Sequence, residues 1–193
     1  MKVEVGREPY SMISKLLHPS VTSSIGLAWL SIGFHSPLIV IVEVLAIYGA
    51  LPYLLVLQMK RLGLVSDIFV TKRRERPLLF VIAIAIYSIG PALMHFSGAP
   101  PIIFYLSICY LINMIIIAGL TLKVKVSLHT SSASGMATAI VYLLGAKFIG
   151  LLSLPIIVAI SRIRVKEHTK LEVALGFIIA IALVALELYL YRL

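Results

Sequence analysis

The amino-acid sequence predicts an all-α fold, a polytopic membrane helix bundle of six or seven transmembrane helices forming a single integral membrane domain over residues 1–193. Three observations carry this prediction. Hydrophobic residues make up 61% of the chain and charged residues 13%, with a mean hydropathy of +1.07, far from the composition of soluble domains. Apolar runs recur at about the length that crosses a bilayer, roughly 20 residues. These runs lack the alternation of a barrel strand, and a backbone in hydrocarbon must satisfy its own amides, which leaves helices. The opening stretch MKVEVGREPYSMISKLLHPS has no early apolar run followed by a small-residue cleavage site, so no removable leader is expected.

In chain order, residues 10–17 place Met12, Ile13, Leu16 and Leu17 at helical spacing and predict a short amphipathic helix at the interface. The first span, 19–34, is short and carries Thr22, Ser23 and Ser24, so it is either a crossing or re-entrant. Spans two, three and four cover 37–58, 77–96 and 101–122. The stretch 128–163 exceeds one helix, and Gly145, Lys147 and Gly150 supply turn chemistry that divides it into two short spans. A final span occupies 171–190.

Polar loops lie around 60–76, 123–127 and 162–170, each two helices from the next, so the topology puts all three on one side of the membrane. With the first span counted as a crossing, that face gathers 15 of the 17 Lys and Arg residues, Lys147 and Arg192 excepted. The positive-inside rule then makes the loop face cytoplasmic, in a cell membrane. The formal net charge of +9 reads as contact with the anionic head groups of membrane lipids, with no nucleic-acid partner. Cys109 is the only cysteine, so neither an internal disulfide nor a cysteine metal site is expected.

The third loop, SRIRVKEHTKLE at 161–172, carries the strongest chemistry. His168 and Glu172 are four apart and share a helix face. A carboxylate on one imidazole nitrogen makes the other the nucleophile. Arg162 offers a planar fork suited to two phosphate oxygens. The bland reading is a solvated helix start with a chance i to i+4 pair. The order Ser-Arg, five residues, His, three residues and an acid resembles the third signature of the type 2 phosphatidic acid phosphatase superfamily, the lipid phosphate phosphatases. In that family the histidine attacks phosphorus and the acid, usually Asp, orients it.

The second loop, KVKVSLHTSSASG at 123–135, resembles the family's Pro-Ser-Gly-His signature, with Ser127 and His129 in the serine and histidine positions and Val126 and Leu128 replacing Pro and Gly. The resemblance implies that His129 protonates the leaving group and that Ser127 binds phosphate oxygens, aided by the start of the next helix. A register on Ser134 and Gly135 keeps Ser-Gly but has no histidine. In the first loop, DIFVTKRRERP at 67–77, Arg76 and Pro77 fit the end of the signature Lys, six residues, Arg-Pro. Phe69 occupies the lysine position, and Lys72 or Arg73 supplies the charge. The bland reading of this loop is a basic surface on lipid head groups.

The resemblance spans 67–172 and implies a metal-independent hydrolase, needing no cofactor, that removes phosphate from a lipid phosphate or a prenyl or polyprenyl diphosphate through a phosphohistidine. The expected catalytic residues are His168, His129 and Glu172. Arg76, Arg162, Ser127, Lys125, Lys72 and Arg73 are expected on the phosphate. A non-enzymatic lipid-binding protein or transporter using the same basic face is the rival. A prenyltransferase would need aspartate-rich magnesium sites, and Asp67 is the only aspartate. Glu43, inside span two, is read as structural, bonding to a neighbouring helix.

Overall fold

The computed structural model of the chain describes residues 8–192, and among these there is no strand. Lys2 and Arg7, counted above with the loop face, lie outside the described residues. Eight helices follow in order. They are α1 (Glu8–Leu16), α2 (Pro19–Gly33), α3 (Leu38–Arg61), α4 (Arg76–Phe96), α5 (Pro101–Thr121), α6 (Leu128–Leu144), α7 (Ser153–Arg164) and α8 (Lys170–Tyr191). A 3₁₀ stretch, Ala146–Leu152, runs directly into α7, and another, Arg73–Glu75, into α4.

Among the described residues, five helical segments are long and apolar enough to cross a membrane: α3, α4 with its 3₁₀ lead, α5, α7 with its 3₁₀ lead, and α8. The chain is a membrane-embedded helical bundle. At 15 and 17 residues, α2 and α6 fall at or below the shortest spanning length of about 17. The stretch 128–163 divides where the sequence suggests. Gly145 ends α6 at φ 100, a backbone state that a side chain resists. Beyond it the chain winds as 3₁₀ helix through Lys147 and Gly150 rather than as an open turn.

Two compact units divide the fold. One draws on Met1–Ser23 and Val126–Leu193, and thus holds α1, the first turn of α2, α6, α7 and α8; the other, Ser24–Lys125, holds the rest of α2 with α3, α4 and α5.

In the second unit, α3 contains a π-helical turn at Ala46–Ala50, just ahead of Pro52. Proline has no N–H to give and its ring displaces the carbonyl four residues back, here that of Tyr48, so the ladder widens locally. The turn delivers Tyr48 into a buried cluster with Tyr87 and Tyr110, at ring distances of 5.2 and 4.8 Å. Gly90 of α4 leaves space for the Tyr48 hydroxyl. At the far end of this unit Ser97, capping α4, donates to Glu43 Oε1 at 2.5 Å, which provides the interhelical bond expected of that intramembrane carboxylate.

The first unit packs α6 tightly on α8. Gly176 is the closest point: a Cβ built there would stand 2.7 Å from the Ser127 carbonyl oxygen and 3.0 Å from Ser131 Oγ. Gly135 meets Val184 and Ala180 in the same way at ordinary contact distance. Small residues let helix backbones approach in an environment where apolar burial gives no drive toward association.

Candidate active site

The start of α6, the end of α7 and the start of α8 belong to one unit, and the polar residues at these termini converge. Thr169 caps α8. Its hydroxyl accepts the Glu172 N–H at 3.2 Å, and Glu172 Oε2 accepts the Thr169 N–H at 3.2 Å, a reciprocal capping box. The same Oε2 lies 2.8 Å from His168 Nδ1. One carboxylate therefore starts the helix and holds the ring that precedes it. His168 is buried to 6% exposure, and a carboxylate on Nδ1 favours the neutral tautomer whose lone pair is on Nε2.

The loop leading to His168 is anchored on α7. Glu167 N–H donates to the Arg162 carbonyl at 3.2 Å and Lys166 N–H to that of Ile163 at 3.0 Å, a Schellman ending. Its left-handed residue is Lys166 at φ 60, where glycine is usual, and the strain costs on the order of 1 kcal/mol. The Glu167 carboxylate closes the loop by pairing with the Arg162 guanidinium. Arg162 is fully buried, so this partner matters: an uncompensated buried guanidinium would cost several kcal/mol, roughly 3–5.

The second loop is tied to the third through the backbone. Ser127 N–H donates to the Glu172 carbonyl at 3.2 Å, while its hydroxyl caps α6 by accepting the Thr130 N–H at 3.4 Å and meets Thr130 Oγ1 at 3.0 Å. The hydroxyl expected on phosphate thus belongs to the helix cap. His129, one residue into α6, is 3% exposed. It lies close enough to Arg162, His18 and His168 to feel their charges, and the Ser14 backbone hydrogen-bonds to it. Arg162 and His168 thus act electrostatically on a ring at the N-terminus of α6, whose amide dipoles favour an anion.

Of the residues singled out from the sequence, His129, His168, Glu172, Arg162 and Ser127 are brought together in this unit. Arg76, Lys72, Arg73 and Lys125 belong to the other. Arg76 is buried there, its Nε donating to the Val70 carbonyl at 3.0 Å. Lys72 pairs with Glu75 at 3.5 Å on the surface. Arg73 caps the end of α5, donating to the Lys123 carbonyl at 2.8 Å and to that of Leu122. These contacts occupy Lys72 and Arg73 in holding the first loop. Three further residues have clear contacts that sequence reasoning passed over. Thr169 was legible as the start of a Thr-x-x-Glu capping box; the Glu167 pair with Arg162, five residues back, depends on the turn that ends α7, and His18 had no local signal because its partner is reached through the fold.

The first loop has its own organising carboxylate. Asp67 Oδ1 accepts the Phe69 N–H at 2.8 Å, and Oδ2 accepts the Thr71 N–H at 3.2 Å and the Thr71 hydroxyl. This cage holds Val70 at φ 46, unusual for a β-branched residue, and so aims its carbonyl at Arg76. Partial burial alone would raise the Asp67 carboxyl, but the hydrogen bonds from Thr71 and Phe69 outweigh it and hold it below the usual 3.8. A carboxyl lowered by folding stabilises the loop above that usual value and loses the contribution as pH falls through the lower folded one. Hydrogen-exchange protection of the Phe69 and Thr71 amides is therefore expected to be level from neutral pH down to about 4 and to fall below it. Asp67→Asn is expected to remove that pH dependence and weaken the loop by about 1 kcal/mol.

Comparison with protein-family models, with curated proteins and with solved structures gave no match.

Proposed function

We propose that the protein is a membrane phosphatase that hydrolyses a lipid phosphate or a prenyl or polyprenyl diphosphate through a phosphohistidine on His168. One observation carries the reading: His168, buried and with the Glu172 carboxylate on its Nδ1, shares one unit with a buried histidine far away in sequence, His129, and a buried arginine, Arg162. The carboxylate on Nδ1 suits His168 to the part of nucleophile, and His129 to that of proton donor. This arrangement also fits the resemblance of the 161–172 and 123–135 segments to the lipid phosphate phosphatases.

His168 Nε2 forms a bond to phosphorus as the bond to the departing oxygen breaks, and His129 gives that oxygen its proton. Water then attacks the phosphohistidine, passing a proton to His129 and releasing inorganic phosphate and His168. Arg162 and the amides at the start of α6 offset the charge of the phosphoryl oxygens. The arriving phosphate supplies the negative charge that a protonated His129 needs among Arg162, His18 and His168. So apolar a chain favours a substrate with a hydrocarbon tail. On this reading the site faces the cytoplasm, because the sequence places its loops on the face that gathers 15 of the 17 basic residues.

Purified protein in detergent, given a prenyl diphosphate or a phosphatidate with EDTA present, is expected to release inorganic phosphate and to yield an acid-labile phosphoprotein on rapid quenching. Saturable binding of both lipids without release would establish instead the lipid-binding or transport role.

A further inference from the structure

The turn between α1 and α2 sets a third imidazole against His129. His18 is buried, and its ring meets that of His129 nearly edge-on, with centroids 5.4 Å apart and planes at 79°. His18 Nδ1 accepts the Ser20 N–H at 3.3 Å. An accepting nitrogen carries no proton, so the uncharged His18 ring is held with its proton on Nε2.

The flanking residues bracket the same part of α6. The Ser14 backbone hydrogen-bonds to His129, and Ser14 Oγ lies 3.0 Å from Ser161 Oγ, next to Arg162. One turn beyond His129, Ser132 Oγ donates to the Pro19 carbonyl at 3.0 Å and lies 2.7 Å from Thr22 Oγ1 and 2.8 Å from Ser23 Oγ. Residues 14–23 thus grip α6 from the ring of His129 to the following turn. The ionisable groups around His129 come from three elements: His18 from this turn, Arg162 from α7 and His168 from the residues ahead of α8.

We propose that His18 is a positioning residue, fixing the ring orientation with which His129 serves the departing oxygen. The inference rests on the phosphatase reading and adds the element that aims its proton donor. A donor that is misaimed slows the departure of a strongly basic alkoxide far more than that of a nitrophenolate, which leaves without a proton.

The test measures, in one preparation of each protein, turnover of a prenyl monophosphate and of p-nitrophenyl phosphate. Because both rates come from the same sample, their ratio is independent of how much of the variant is folded. His18→Phe keeps ring bulk without its nitrogens and is expected to lose roughly ten- to a hundredfold on the prenyl substrate and only a few fold on the aryl one. His18→Gln, which restores an amide near the distal ring nitrogen, is expected to recover part of the ratio. An unchanged ratio in His18→Phe overturns the proposal while a dead His168→Ala leaves the phosphatase reading standing. Turnover that survives His168→Ala on both substrates overturns that reading, and the role of His18 with it.

Discussion

His168→Ala is expected to abolish both phosphate release and the phosphoprotein, with turnover falling on the order of 10⁴-fold or more. The expectation follows from the carboxylate on the ring of His168. Glu172 Oε2, at 2.8 Å, holds Nδ1 of His168, which on the proposed reading makes Nε2 the attacking atom. Alanine removes that atom together with the ring's bond to the carboxylate. His129→Ala should behave differently. The nucleophile survives, so a phosphoprotein should still form from p-nitrophenyl phosphate, while turnover of a prenyl monophosphate drops by about 10²–10⁴-fold, the usual contribution of a proton donor. Rapid quenching with radiolabelled phosphate reads both variants. A phosphoprotein that persists in His168→Ala would show that the carboxylate-bound ring is not the nucleophile.

Gly176→Ala is the second large effect, and here two opposed magnitudes must be compared. Replacing a helical glycine with alanine normally stabilises a helix by about 0.8–1.0 kcal/mol. At Gly176 the added methyl would stand 2.7 Å from the Ser127 carbonyl oxygen, a backbone atom that already accepts the Ser131 N–H at 2.9 Å and the Ser131 hydroxyl at 3.0 Å. Backbone held on both sides cannot swing away as a side-chain end can. Overpacking of this kind costs about 1–3 kcal/mol, so the loss should exceed the gain. The greater consequence is for geometry. Ser127 starts the helix that carries His129, and Gly176 lies one turn past Glu172, so pushing α6 and α8 apart separates the two rings. A displacement of about 1 Å at a reacting centre can cost roughly a hundredfold in rate. Gly119→Ala supplies the control. Its methyl would meet nothing within 4 Å, and thermal unfolding in detergent should show a neutral to slightly higher midpoint with activity unchanged. Equal behaviour of the two variants would mean that the α6–α8 contact does not set the site.

Much of the candidate site was visible in the sequence because its key pair is local. His168 and Glu172 are one helical turn apart, and any helix beginning near Thr169 brings them together. Other parts were invisible because their partners lie far away along the chain. His18 reaches a residue 111 positions on, and Ser14 one that is 147 away, across contacts that no spacing rule describes. That Arg73 holds the end of α5 was equally hidden, because a guanidinium's sequence neighbours do not reveal that those carbonyls lie within its reach.

What the sequence by itself determined is the class of the fold and the places where its helices stop. Hydropathy over about 20 residues fixes which segments lie in hydrocarbon, and Gly145, Pro52 and the Thr169 to Glu172 box act on their own turns whatever the rest of the chain does. What only the tertiary structure decided is which basic and imidazole groups share a site. That choice depends on how closely helices approach, here through the bare backbone of Gly176 against Ser127, and on which carbonyl or carboxylate each cation meets first. The helix approach is a long-range contact, and in a chain this apolar each buried polar group must find its partner through packing rather than through water.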